Sequence, residues 1–354
     1  MKLAFNLYRH MLTEENFRFA RQCGATHLVI HLVDYFNRSG PDGTTDNQPV
    51  GRQEGWGEAG IGSEIWSLRD LIEIKERINA AGLRLEAVEN LDPWWWYDIL
   101  LDGPDKMRQI ENLKELVRRM GQAGIPCLGY NFSIAGVAAR IEGPFARGGA
   151  PSVGMKGTDD TPLPKGMVWN MVYDRKPPPG NLEFFPHEVL WERLSFFLNE
   201  LVPVAEKAGV RLAAHPDDPP LETLRNTPRL VYRPDLYQKL LDIHPSRSNG
   251  LEFCLGTIAE MQEGDIYEAT DRYSKAGAIA YIHFRNIVGK APDYREVFID
   301  EGEVDMHRIL RILKNNNYQG VLVPDHTPLM SCSAPWHAGM AYMMGYIKGI
   351  IDNL

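Results

Sequence analysis

Four polar residues each close an apolar, strand-like run, and their spacing narrows the folds open to this chain. Val210-Arg211-Leu212-Ala213-Ala214 leads into His215, Leu251-Glu252-Phe253 into Cys254, Ile279-Ala280-Tyr281-Ile282 into His283, and Val321-Leu322-Val323-Pro324 into Asp325. The intervals are 39, 29 and 42 residues. With a helix in each interval this is the repeat of a β/α barrel, whose strand ends all project onto one rim. Four residues remote in sequence then converge, and two imidazoles, a thiolate and a carboxylate suit a divalent metal.

The same rhythm runs through the whole sequence. Strand-like runs fall near 2–8, 27–33, 83–89, 126–132, 210–215, 249–254, 278–284 and 319–325. Amphipathic helical patterns fall near 13–23, 67–81, 105–123, 187–208, 230–242, 264–276, 304–316 and 335–352. Thr13 and Ser67 stand where helix N-caps belong, and Gly24, Gly82, Gly124 and Gly209 where C-caps do. The prediction is an α/β chain forming one (β/α)8 barrel over 1–354. Two segments break the rhythm: 34–66, rich in Gly, Asp, Asn and Glu, and 133–186, rich in Gly and Pro. They follow the second and fourth strands, so they are expected as insertion loops on the C-terminal rim, either covering the site or packing against another subunit. Trp94-Trp95-Trp96-Tyr97, after the third strand, is expected to line a sugar pocket or a subunit contact.

Composition removes several classes. With 44% hydrophobic and 24% charged residues the chain can fill a closed core. A net charge of −9 argues against a nucleic-acid partner, because phosphate binding needs clustered Lys and Arg. No stretch approaches the roughly 18 apolar residues of a membrane span, and the apolar start meets Arg9 and His10 too soon for a signal peptide. Cys23, Cys127, Cys254 and Cys332 lack CxxC spacing, which predicts neither a disulfide framework nor a zinc knuckle. A cytoplasmic enzyme acting on a small molecule is the expectation, with a homo-oligomer favoured by the prevalence of symmetric assemblies.

A single His or Cys at a strand end is usually a structural residue, but His, Cys, His and Asp at the same place on four successive strands form a set. Three or four ligands with room for water describe a catalytic centre, whereas a structural zinc site closes its shell with more cysteines. Mn, Fe, Co and Zn all suit these donors. In His215-Pro216-Asp217-Asp218-Pro219-Pro220 the prolines stiffen the loop, so Asp217 and Asp218 are expected to orient the ligand shell or bind substrate hydroxyls. Glu89 and Asn131 close strands three and four and are expected beside the substrate, with Arg285 as a carboxylate clamp. His326 is expected to be either the general acid or base or a satisfied loop histidine.

A set of longer stretches adds a resemblance. Ala25-Thr26, Ile65-Trp66-Ser67, Tyr130-Asn131-Phe132, Pro203-Val204-Ala205-Glu206, His215 to Pro220, Asn249-Gly250 through Cys254 and Gly256, His283 with Arg285, Gly302 to Met306, Pro324-Asp325-His326 and Lys348-Gly349 carry it. On these the chain resembles the mannonate dehydratase family, metal-dependent enzymes with a TIM barrel of the xylose isomerase type. The resemblance implies a manganese ion held by His215, Cys254, His283 and Asp325, and dehydration of a sugar acid to a 2-keto-3-deoxy acid. Asp325, His326 and Tyr342 are the expected catalytic residues, with either His326 or Tyr342 supplying the proton to the leaving group. The chain departs from the family in three places. It reads Val323-Pro324-Asp325-His326-Thr327 where the family has Arg-Pro-Asp-His-Gly, Ala135 to Arg140 where the family has Trp-Thr-Arg-Thr, and Tyr342 stands one position off register. The metal shell is thus kept while its surroundings change. A metal-dependent isomerase or epimerase, or a lyase acting on a keto-sugar, is the alternative expectation, since stabilising an enediolate serves those reactions too.

Overall fold

The alternation of apolar runs and amphipathic patterns folds into a closed barrel in the computed structural model, which describes residues 1–35 and 55–354. The strands are β1 (Lys2–Leu7), β2 (His27–His31), β3 (Arg84–Glu89), β4 (Cys127–Tyr130), β5 (Arg211–Ala214), β6 (Asn249–Cys254), β7 (Ile279–Phe284) and β8 (Val321–Pro324). Each pairs in parallel with its neighbours, and β8 closes the barrel on β1. The main helices are α1 (Glu14–Gln22), α2 (Leu68–Ala80), α3 (Lys106–Ala123), α4 (His187–Ala208), α5 (Leu236–Ile243), α6 (Ile266–Lys275), α7 (Met306–Asn315) and α8 (Pro335–Asp352). Thr13 and Ser67 accept from the backbone N–H of Asn16 and Asp70, and so fix where α1 and α2 begin.

Strand geometry explains where the functional groups stand. Ala4, Val29, Ala87, Cys127, Ala213, Tyr281, Val321 and Val323 form an apolar cluster of their own, separate from the larger core between strands and helices. Side chains alternate faces along a strand, so the residue two positions on points into the same interior, one layer nearer the C-terminal rim. That step leads from Ala4 to Asn6, Val29 to His31, Ala87 to Glu89, Ala213 to His215, Tyr281 to His283 and Val323 to Asp325. The upper layer of the barrel is therefore polar and the layer beneath it apolar.

The two interruptions contain more order than local periodicity predicts. Ile141–Ala146 and Ala150–Lys156 join the hairpin Asn286–Lys290 and Asp293–Val297 in a four-stranded sheet. Gly57–Glu58 pairs with Met171–Val172, which pairs in turn with Met167–Val168. Each sheet joins segments more than 100 residues apart, a pairing that no local pattern reveals. Residues 36–54 of the first interruption lie outside the described residues.

The aromatic run after β3 is divided. Trp96 is buried against Phe132 and Phe197, Trp94 and Tyr97 are half-buried, and Trp95 packs edge-on to Trp66 at 4.7 Å, the two lining a cavity with Arg9 and Asp92. Among the described residues no helix is long and apolar enough to cross a membrane.

Candidate active site

His215, Cys254 and His283 offer ligand atoms that all lie within 4.8 Å of one another. Asp325 joins them, with Oδ1 3.5 Å from His283 Nδ1 and Oδ2 3.9 Å from Cys254 Sγ. Each imidazole is fixed by a close contact at one of its nitrogens. His215 Nδ1 is fixed 2.6 Å from the Pro216 carbonyl. His283 Nε2 stands 3.1 Å from Glu89 Oε2 and 3.3 Å from Glu252 Oε1. Among the described residues the buried His283 Nδ1 has no hydrogen-bond partner. Leaving a buried polar atom unsatisfied costs about 1–3 kcal/mol, and a cation between the imidazole, thiol and carboxylate removes that cost. The donor set and its outer carboxylates thus fit a divalent metal.

Electrostatics prepare the same centre. Burial opposes charge on Cys254, but Arg285 and the neighbouring imidazoles of His215 and His283 outweigh it and hold the thiol at about 5. Burial, reinforced by Glu89, pushes Glu252 up to about 8. Burial also opposes charge on Glu89, yet His31 and His283 hold that carboxyl at about 2. Of the two carboxylates beneath His283, one is thus charged and the other favours its proton. The Tyr281 hydroxyl lies 2.6 Å from Glu252 Oε2, and only a glycine at position 129 leaves room for the pair. A Cβ there would sit 2.2 Å from that hydroxyl and 2.7 Å from the carboxylate.

Arg285 lies behind Cys254 and is 1% exposed. Its Nη1 donates to Glu296 at 2.6 Å, and its Nη2 lies 3.0 Å from both Asp218 and Glu260 and 3.7 Å from Cys254 Sγ. The expected clamp on a substrate carboxylate is therefore engaged with carboxylates of the protein, and Arg285 does not line the cavity. A Cβ at Gly256 would fall 2.1 Å from its Nε, so the short helix Leu255–Glu260 can pass over the guanidinium only with glycine there. Asp218 belongs to this lattice and also accepts from Arg140 and, at 3.1 Å, from Thr257. Asp217 points elsewhere. It accepts from the backbone N–H of Leu230 and Val231 at 2.7 and 2.8 Å and lies 3.1 Å from Arg229 Nε, which braces the loop.

A cavity opens above the donors. Glu89, Asn131, His215, Asp218, His283, Asp325 and His326 line it, as do Tyr8, His31, Tyr35, Trp56, Arg140 and Trp169, which the sequence reading did not single out. Tyr8 stacks on His31 at 4.9 Å, and Tyr35, Trp56 and Trp169 meet at 5.4–5.7 Å to form an aromatic wall. His31 bonds to Asn6 and Tyr35. His31 was within reach of the two-residue step along β2, whereas Arg140 and Trp169 sit in the long interruption, where no pattern pointed to them. His326 Nδ1 lies 3.1 Å from both oxygens of Glu296, and its Nε2 lies 3.3 Å from Asp325 Oδ1. Tyr342 is not brought in. It lies on α8, 36% exposed, against Phe298 and hydrogen-bonded to Arg147 and Asp300.

Comparison with known proteins decides the family. The sequence model of the D-mannonate dehydratase family matches residues 56–140 and 182–354. The chain belongs to that family. Mannonate dehydratase of Streptococcus equi subsp. zooepidemicus is 29% identical over 279 residues, covering 74% of this chain and 75% of that one. Mannonate dehydratase of Geobacillus thermodenitrificans is 28% identical over 317 residues, covering 82% and 84%. The crystal structure of mannonate dehydratase from Streptococcus suis serotype 2 superposes with a TM-score of 0.76 at 24% identity, over 100% of this chain and 94% of that one. D-Psicose 3-epimerase from Clostridium cellulolyticum H10 covers 100% and 98% with a TM-score of 0.58 at 11% identity, a likeness of fold alone. The epimerase alternative thus has only the barrel in its favour, and the family assignment makes this chain a lyase of the hydro-lyase class. The match contains all four donors, Glu89, Asn131, Arg285 and His326, whereas 141–181, with Trp169, falls outside it.

Proposed function

We propose that the chain is a sugar-acid dehydratase that removes water from an aldonate to give a 2-keto-3-deoxy acid. The observation that carries this reading is the convergence of His215, Cys254, His283 and Asp325, all within the matched family region, at the floor of a cavity. These four residues would hold Mn2+, and Fe2+, Co2+ or Zn2+ suit the same donors. When bound, the ion supplies Lewis acidity that lowers the cost of negative charge on the oxygens of the acid. A thiolate ligand must stay reduced, which favours a cytoplasmic setting.

In this reaction a base takes the C2 proton, the C3 hydroxyl takes a proton from an acid and leaves as water, and the enol formed between C2 and C3 tautomerises to the ketone. The chain must therefore move a proton and position the hydroxyls. Arg285 Nη1, at 2.9 Å, and Glu296, at 3.1 Å, both meet His326 at Nδ1, which leaves Nε2 beside Asp325 at the cavity wall. We assign His326 the proton that lets the C3 hydroxyl depart as water. Glu89, Asn131 and Asp218 are left to bind hydroxyls, and the aromatic wall excludes solvent. Replacing His326 with Gln is expected to lower kcat by about 10²–10⁴-fold with metal content unchanged. A kcat within a few-fold of wild type, by steady-state assay beside metal analysis, would return His326 to a structural role.

The test of the reading is incubation of the metal-loaded protein with a panel of aldonates and ketoses. The expected result is a 2-keto-3-deoxy acid from at least one aldonate, lost on chelation and restored by Mn2+. Interconversion of ketoses without dehydration would overturn the assignment, and product formed at full rate without metal would overturn the metal's part in it.

A further inference from the structure

We propose that the indole N–H of Trp169 binds a substrate hydroxyl beyond C3 and so helps to set which acids the site accepts, an inference that rests on the dehydratase reading. Trp169 lines the cavity, is 2% exposed, and its Nε1 has no hydrogen-bond partner among the described residues. A ring that served only to exclude water would be phenylalanine as readily as tryptophan, and a buried indole N–H ordinarily finds an acceptor. Asn131, on the same cavity, has a buried Oδ1 in the same condition. A hydroxyl both donates and accepts, so a polyhydroxy chain meets both needs and an apolar chain neither.

The backbone is bent to put a tryptophan at this place. Trp169 and Asn170 form the two-residue turn between Met167–Val168 and Met171–Val172, with φ of 53° and 58°. Such a turn needs left-handed backbone at both positions and favours Asn-Gly, so a bulky side chain at the first runs against local preference. Its surroundings impose it. The Trp169 backbone N–H donates to the Ile134 carbonyl at 2.6 Å, the Asn170 side chain donates to the Val137 carbonyl at 2.8 Å, and the Asn170 carbonyl accepts from the Trp56 backbone N–H at 2.8 Å. At Gly136 a Cβ would meet the Trp169 backbone at 2.7 Å, so the segment after β4 reaches the turn only with glycine there. Backbone held in a sparsely populated conformation and clamped by its neighbours gathers at ligand sites, where a side chain must stay in place. The place suits the far end of an acid. The donors close β5 to β8, whereas the ring of Trp169 packs with Tyr35, which follows β2, and with Trp56, at 5.7 and 5.4 Å. With C1 to C3 of the acid at the donors, its remaining carbons extend to the half of the rim where Trp169 stands.

The experiment measures binding of non-reacting acids to the Mn2+-loaded enzyme by calorimetry, directly or by displacement. The first are 3-deoxyhexonates differing in configuration at C4 and C5, which have no C3 hydroxyl to lose but keep those beyond it. The second is 2-hydroxybutanoate, which has no hydroxyl beyond C2. Trp169→Phe keeps an aromatic ring and removes the N–H. It is expected to weaken the tightest hexonate by about 10-fold, or about 1.4 kcal/mol, and the butanoate by less than about 2-fold. Phenylalanine is also the smaller ring, so a second variant carries β-(3-benzothienyl)alanine at position 169, with sulfur in place of the N–H and the shape otherwise kept. It is expected to match the Phe variant on the hexonate, with the thermal midpoint of the ligand-free protein unchanged. Equal weakening of both acids by Trp169→Phe, or hexonate affinity kept by the sulfur variant, would overturn the proposal and leave Trp169 a packing residue of the wall. If the hexonate binds through Trp169 but no aldonate is dehydrated, the dehydratase reading falls and the contact stands. Turnover of an aldonate with hexonate binding indifferent to both variants does the reverse, and a wild-type protein that binds no hexonate overturns both.

Discussion

Changing Cys254 to serine is expected to lower metal affinity by about 100-fold or more and to abolish dehydration, with the barrel intact. Loss of an outer partner alone costs about 10–100-fold in affinity, and Cys254 is proposed as a direct donor. Its surroundings favour the thiolate. The sulfur accepts from the Thr257 backbone N–H at 3.4 Å, lies 3.2 Å from the Thr257 hydroxyl and 3.7 Å from Arg285 Nη2, and is held at about 5. A serine hydroxyl is nearly the same size but stays protonated in that setting, so it offers a neutral oxygen where a charged sulfur stood. Metal per chain after dialysis, activity, and the thermal midpoint of the metal-free protein separate the effects. Metal and activity should vanish together while the metal-free midpoint moves by only a few degrees. A variant that keeps its metal and turns over would show Cys254 to be a packing residue.

The architecture was open to reading because its signals are local. Apolar runs, capping residues and helix-ending glycines lie within a few residues of the elements they specify, and the eight strand positions follow from them. The donors were legible for the same reason, since each closes a strand of that series. His31 and Glu252 show the intermediate case. Glu252 looks like an ordinary acid in Leu251-Glu252-Phe253, and its place beneath the donors follows only once Cys254 is known to face inward. What stayed hidden depends on contacts between remote segments. Arg140 reaches the cavity next to a sheet that joins residues 141–156 to 286–297, and Trp169 from the turn between Met167–Val168 and Met171–Val172, which pairs with Gly57–Glu58. Arg285 reads as a clamp in sequence because nothing there shows that Glu260 and Glu296 converge on it. Tyr342 illustrates the opposite failing: a position carried over by resemblance lies on α8 beside Asp300 instead of at the cavity.

Replacing Arg285 with methionine is expected to cost about 3–5 kcal/mol of stability, because the side chain is the shared counter-ion of a buried set of acids. Its guanidinium meets Glu296, Asp218, Glu260 and Asp325 at 2.6, 3.0, 3.0 and 3.5 Å. Methionine fills a similar volume, so the loss is mainly electrostatic: acids remain buried without the cation that balanced them. Chemical denaturation of the metal-free protein reads this directly and leaves aside any change in metal binding. A loss below about 1 kcal/mol would mean that water or Arg140 compensates, and the lattice would then be a minor source of stability. Second substitutions show which acid matters. Burial, with Asp218 beside it, pushes Glu260 well up and favours its protonated form, whereas Glu296 is held below the usual carboxylate range, because Arg285 and His326 outweigh its burial. In the methionine background Glu260→Gln is therefore expected to recover little and Glu296→Gln substantially more. A double-mutant cycle gives the coupling in each case, and equal recovery from both would show that the two acids carry the same charge beside Arg285.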